Sequence, residues 1–164
     1  KEVSVMASQA PCSLTVAVVG ARDLKTDFFG SVDPFVRLTL NNSKFETKMV
    51  NATKNPTWKE EFNFVVPNLH AATSTQSLHV AAWDHNMLRS DDFIGSTSVM
   101  LTKEYLNGEM HEFEVELSGR DGDVMDKKTG KKVILGFVLL RMRFTDSGMK
   151  YASKLMGKLV QSKV

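Results

Sequence analysis

Cysteine is almost missing from this chain. Cys12 is the only one, so no disulfide can close within the chain and a reducing compartment is the expected setting. Also missing is an opening basic segment followed by an apolar stretch, so nothing reads as a secretory leader. Asn41-Asn42-Ser43 and Asn51-Ala52-Thr53 have the form of glycosylation acceptors, but such triplets arise often by chance. Hydrophobic runs are short: Val133 to Leu140, broken by Gly136, falls far below the roughly 20 residues that span a bilayer. Charge of one sign is scarce as well. A net charge of +2 names no partner by itself, since binding depends on where charge is placed, and nothing points to nucleic acid. No Gly-x-Ser-x-Gly elbow, Gly-x(4)-Gly-Lys loop or Gly-x-Gly-x-x-Gly fingerprint occurs, so catalysis has no visible home and the chain is expected not to be an enzyme.

What is present is an ordinary globular composition, 42% hydrophobic and 24% charged, enough to bury a core. The chain opens on Lys1 instead of Met, as expected of a stretch cut or processed from a longer polypeptide. One domain is expected over 14–145, with an extension at 1–13 and a tail or linker helix at 146–164. From Leu14 onward short β-rich runs alternate with turn clusters, which predicts strands at 14–19, 35–40, 45–50, 62–66, 78–83, 94–101, 112–117 and 134–144. Val36, Leu38 and Leu40 share one face and Phe35, Arg37 and Thr39 the other, as a half-buried strand requires. Eight antiparallel strands of this kind make an all-β, two-sheet sandwich.

If successive strands run up and down, the connections after the first, third, fifth and seventh emerge at one end. Two of these are acidic: Leu24 to Phe35 carries Asp27 and Asp33, and Trp83 to Gly95 carries Asp84 and Asp92, with Asn86 offering a neutral carbonyl oxygen. Four carboxylates at one edge would repel one another, and calcium relieves this because it takes six to eight oxygen ligands in tolerant geometry. Zinc is not indicated, since His85 and Cys12 form no zinc set and no His-Glu-x-x-His occurs. Taken singly, Asp, Asn and Gly are also what turns prefer.

Three stretches together carry a resemblance. Asp27-x(5)-Asp33-Pro34-Phe35, Asn55-Pro56-Thr57-Trp58-Lys59-Glu60-Glu61-Phe62-Asn63-Phe64, and Trp83-Asp84-x-Asn86-x(5)-Asp92-x-Ile94-Gly95 resemble C2 domains in order and spacing over roughly residues 14 to 101. The resemblance implies an eight-stranded antiparallel C2 β-sandwich. Of its two circularly permuted topologies, eight strands counted from Leu14 are similar to the type II arrangement of phospholipase C and novel protein kinase C; pairing of Val3-Ser4-Val5-Met6 would restore the other. It further implies that Asp27, Asp33, Asp84 and Asp92 ligate calcium. Asn86 departs from the pattern, standing where calcium-binding members usually carry a further aspartate, and the lost carboxylate weakens the expected affinity.

The function implied is calcium-dependent docking on anionic phospholipid, phosphatidylserine or phosphoinositide, by a monomeric cytoplasmic module peripheral to the cytosolic face of membranes. Phe28-Phe29 and Met87-Leu88 are apolar tips on the acidic loops, placed for insertion, though Phe28 or Phe29 can also fold back into the core. Lys44 and Lys48 on the third strand and Arg141 and Arg143 on the last, taken as its neighbour, form a candidate anionic-lipid patch that Glu46 dilutes. Ser118 to Lys132 is a long insertion with Lys127, Lys128, Lys131 and Lys132; its Asp121-Gly122-Asp123 starts like an EF-hand, but Met125, Asp126 and Lys132 break that pattern. The tail at 149–160 has helical spacing of Met149, Ala152, Met156 and Leu159, for membrane contact, local packing or linkage to a following domain. The rival reading is a C2 domain that binds lipid or protein partners without calcium.

Overall fold

Period-two burial marks β1, β2 and β8 most clearly in the computed structural model, which describes residues 12–26, 30–66 and 76–145. In β1 (Cys12–Arg22) Leu14, Val16 and Val18 are fully buried, and in β2 (Pro34–Leu40) Val36, Leu38 and Leu40 are, on the face that alternation predicts. Next come β3 (Ser43–Glu46), β4 (Thr57–Val66), β5 (Ser77–Asp84) and β6 (Asp92–Met100). A 3₁₀ turn (Lys103–Asn107) leads to β7 (His111–Glu116), and β8 (Phe137–Thr145) ends the described chain. The strands pair antiparallel in two four-stranded sheets, ordered β4-β1-β8-β7 and β3-β2-β5-β6. Phe64, Leu78, Val80, Val138, Leu140, Met142 and Phe144 complete the core between them, each worth about 1.5–3 kcal/mol when fully buried. The all-β sandwich of eight strands is therefore as expected, while Val3–Met6 and the tail helix at 149–160 lie outside the described residues.

Most strand boundaries shift by one to five residues from those expected, and two of the largest shifts have a local reason. β3 stops at Glu46, short of the expected Val50, because Thr47 turns its hydroxyl inward to accept from the Val36 N–H at 2.9 Å, the place a ladder carbonyl would take. β4 starts at Thr57, five residues before the expected Phe62, pairing with β1 across a bulge between Val18 and Gly20. That bulge needs Gly20, since a Cβ there would lie 2.8 Å from the Pro56 carbonyl oxygen. β8 starts at Phe137, three residues after the expected Ile134.

The strand order corrects the lipid patch expected from Lys44, Lys48, Arg141 and Arg143. Among the described residues β3 is the edge of one sheet and pairs only with β2, whereas β8 lies between β1 and β7 in the other. Lys44 alternates with inward Phe45, and Arg141 and Arg143 alternate with buried Leu140, Met142 and Phe144. Lys44 thus points away from one face of the sandwich, and Arg141 and Arg143 from the opposite one.

Register collects the loops at one end. Arg22 is opposite Phe137, Glu116 opposite Phe137, Pro34 opposite Asp84, and Asp84 opposite Asp92. Backbone bonds knit that end together: Leu24 N–H to the Lys54 carbonyl, Lys25 N–H to Leu135, Thr53 N–H to Val32 and His85 N–H to Asp33, all 2.9–3.1 Å. Among the described residues no helix is long and apolar enough to cross a membrane.

Candidate functional site

Asp33 and Asp84 meet because one ends the first loop and the other ends β5, directly across the β2–β5 ladder. The Asp33 N–H donates to Asp84 Oδ1 at 2.8 Å, and Asp33 Oδ1 accepts from the Ala52 N–H at 2.7 Å. The rim therefore joins the connections after β1, β3 and β5 through carboxylate oxygens. Asp92 enters as the first residue of β6, opposite Asp84. Asp27, Phe28 and Phe29 lie outside the described residues.

The connection 85–91 carries its own counter-charges. Arg89 Nη2 donates to Asp92 Oδ2 at 2.6 Å, and Asn86 Nδ2 donates to the same oxygen at 3.1 Å. Asn86 thus turns its amide nitrogen, not its expected carbonyl oxygen, toward Asp92. His85 Nδ1 lies 3.0 Å from Asp91 Oδ1, which also accepts from the Asn86 N–H at 3.1 Å. This bonding closes the base of the loop and leaves its tip outward, with Met87 90% and Leu88 99% exposed.

The donor set fits a hard cation in kind: Asp33, Asp84 and Asp92 offer only oxygen, which suits calcium and not zinc. In arrangement, Arg89 occupies part of the charge such a cation would neutralise. Among the described residues no cluster of three or more His, Cys, Asp or Glu side chains is placed to hold a metal.

Beside the rim runs a row of aromatics. Phe35 pairs with Trp83 across the ladder, and the Trp83 and Phe93 rings meet edge-on with centroids 5.4 Å apart. Two guanidinium groups flank Trp83. Arg37 lies 4.8 Å from its ring and is neutralised by Glu46 at 2.7 Å. Arg120 lies 5.5 Å from Trp83 and 4.2 Å from Phe93, and among the described residues it forms no ion pair with a carboxylate. Arg120, Lys25, Asp84 and Asp92 line one cleft of about 510 Å³.

Arg120 reaches the rim because the insertion after β7 is a structured hairpin. Ser118 bridges Ser96 of β6, and Gly95 makes room, since a Cβ there would lie 2.9 Å from Leu117 Cβ. The arms pair at Met125 and Lys132, and the tip is closed by Asp126 Oδ1, which accepts from the Lys128 N–H at 2.9 Å and the Thr129 N–H at 2.7 Å. Those donors, the Thr129 backbone first, hold the Asp126 carboxyl below its usual range. Lys132 is bonded inward to Glu116 at 2.6 Å and Asp123 at 3.1 Å, and it lowers the Asp123 carboxyl's pKa. Lys127, Lys128 and Lys131 form no ion pair among the described residues.

Elsewhere, Arg141 is paired with Glu112 and Arg143 sits opposite Thr15 on β1. Lys48 donates its backbone N–H to Glu60 at 2.8 Å, just beyond β3. Sequence reasoning missed Arg89, Lys25 and Arg120. The three-residue spacing of Arg89 from Asp92 is a visible signal; the approach of Arg120 depends on a long-range bridge and leaves none.

A family model described as the C2 domain matches residues 12–117. The chain belongs to the C2 domain family. Over 110 residues it is 40% identical to Synaptotagmin-4 of Arabidopsis thaliana, covering 65% of this chain and 18% of that protein. This C2 domain thus spans less than a fifth of the length of that curated relative. Among solved structures it is similar to a single C2 domain of plant extended synaptotagmin 1, with a TM-score of 0.65, 26% identity, and 82% of this chain and 94% of that one covered. A pair of C2 domains from extended synaptotagmin 2, described as calcium bound, shares the fold at a TM-score of 0.61 and 21% identity, covering 83% of this chain and 45% of that one.

Proposed function

We propose that this C2 domain docks on anionic phospholipid, phosphatidylserine or phosphoinositide, on the cytosolic face of a membrane, as a non-catalytic module of a longer polypeptide. One observation carries the reading: Met87 and Leu88, 90% and 99% exposed, crown a rim of carboxylates. Large apolar side chains gain nothing from water, and burying such a pair in lipid supplies several kcal/mol, at about 1.5–3 kcal/mol for each one fully buried. The rim's negative charge opposes that approach to an anionic surface.

Calcium is the proposed resolution, held by Asp33, Asp84 and Asp92 together with Asp27 of the same sequence motif. Bound there, it would supply positive charge and open coordination positions for lipid phosphate. Eight strands counted from Cys12, with Phe137–Thr145 as the last, support the type II, phospholipase C-like permutation. A second reading, docking without calcium, is favoured by the Arg89–Asp92 ion pair, which already offsets one carboxylate.

Cosedimentation with phosphatidylserine-containing vesicles, in calcium and in chelator, tests these readings. Binding stronger in calcium is expected. Equal binding in both conditions would support the second reading, and no binding in either would defeat membrane docking altogether.

A further inference from the structure

We propose that the cleft beside the rim is a metal-independent receptor for the phosphate of a membrane phospholipid, with Arg120 and Lys25 as its cationic arms. The inference rests on the membrane-docking reading and assigns that surface a second point of attachment.

Arg120 is the centre of the argument. A guanidinium is the side chain best matched to phosphate, presenting a planar fork of donors that bonds two oxygens at once. Here the guanidinium carbon lies 4.2 Å from the Phe93 ring centre and 5.5 Å from that of Trp83, and its charge is not spent on a protein carboxylate among the described residues. Arg37, on the same tryptophan, has Glu46 at 2.7 Å. The contrast separates a structural arginine from one whose fork is open to a ligand. Holding the group by its ring contacts also reduces the conformational entropy lost when phosphate binds.

The surroundings suit the same ligand. Lys25 is exposed on the cleft, its backbone fixed by the N–H bond to the Leu135 carbonyl at 3.0 Å. The two carboxylates lining the cleft are already engaged, Asp84 by the Asp33 N–H and Asp92 by Arg89 and Asn86. Val32, Ile94 and Leu135 give it an apolar floor. Val124, which also lines it, belongs to the hairpin whose tip carries Lys127, Lys128 and Lys131. Those cations draw the domain toward an anionic surface, and Met87 and Leu88 mark the side that meets it. A phosphate at the bilayer interface, and not a free anion, is the occupant these features select.

The test is vesicle cosedimentation in chelator, using phosphatidylcholine vesicles with and without phosphatidylserine, on the described domain with its flanking residues. Arg120→Gln should weaken binding to the serine-containing vesicles about fivefold, and Lys25→Gln by a similar or smaller factor. Arg120→Lys, which keeps the charge and loses the fork, should recover only part. Thermal unfolding checks the fold; should Arg120→Gln unfold, Lys25→Gln, altering an exposed side chain alone, carries the test. Wild-type binding with unchanged affinity in both glutamine variants would overturn this site and leave the docking reading standing. Wild-type protein that ignores the vesicles with and without calcium would defeat both. Wild type that binds inorganic phosphate in calorimetric titration but does not cosediment with the vesicles in chelator would overturn the membrane assignment in favour of a free-anion site.

Discussion

Two loops stand side by side at one end of this sandwich and handle charge in opposite ways. The connection 85–91 offsets part of its charge locally: Arg89 pairs with Asp92, His85 lies against Asp91, and Met87 and Leu88 stand outward at the tip. The hairpin rooted at Ser118 spends one lysine, Lys132, on its own acids and leaves Lys127, Lys128 and Lys131 outward. On the proposed reading the first loop would enter an apolar medium and the second would attract an anionic one. Neither alone suffices, because exposed ion pairs and single surface cations contribute only about 1 kcal/mol each.

The largest expected effect comes from the tip of the apolar loop. Met87→Ser with Leu88→Ser should lower vesicle affinity roughly 30-fold, about 2 kcal/mol for partial burial of two side chains, with little change in the thermal midpoint. Cosedimentation and a melting curve measure the two quantities, and unchanged affinity would remove insertion from the account. A smaller effect is expected at the base of that loop. Asn86→Asp replaces an amide donor facing Asp92 with a carboxylate, and should raise calcium affinity about tenfold in calorimetric titration.

The smallest effect belongs to the hairpin and is a matter of pH. The Asp126 carboxyl is held below its usual 3.8 by the donors that close the tip, so its contribution is complete above that value and is lost as pH falls through the lowered one. Protection of the Lys128 and Thr129 amides against hydrogen exchange should be steady from neutral pH to about 4 and fall below it. In Asp126→Asn that acid-side loss should disappear.

The sandwich was largely legible because its strands obey a period of two, and the branched residues of β1, β2 and β5 leave little choice of face. The shared end for the loops followed from antiparallel alternation. What escaped was long-range. Nothing local says that β3 and β8 sit in different sheets, so the sequence leaves Lys44 and Arg141 free to share a surface, whereas they face opposite ways. Likewise Arg120 reaches Trp83 only through the Ser96–Ser118 bridge, a pairing set by sheet assembly. Thr47 shows a third kind of loss, since a β-branched residue reads as strand while its hydroxyl ends the ladder.

The placement of β1 beside β8 has a mechanical consequence. Ser13 lies opposite Thr145 at the pole away from the rim, so polypeptide joined at either side leaves from adjacent points. Tension between those points would load the outermost hydrogen bonds first and peel the two strands apart one rung at a time, because the rungs lie along the pull and not across it. Held by its rim and pulled at Ser13 and Thr145, a sandwich wired this way would open at low force.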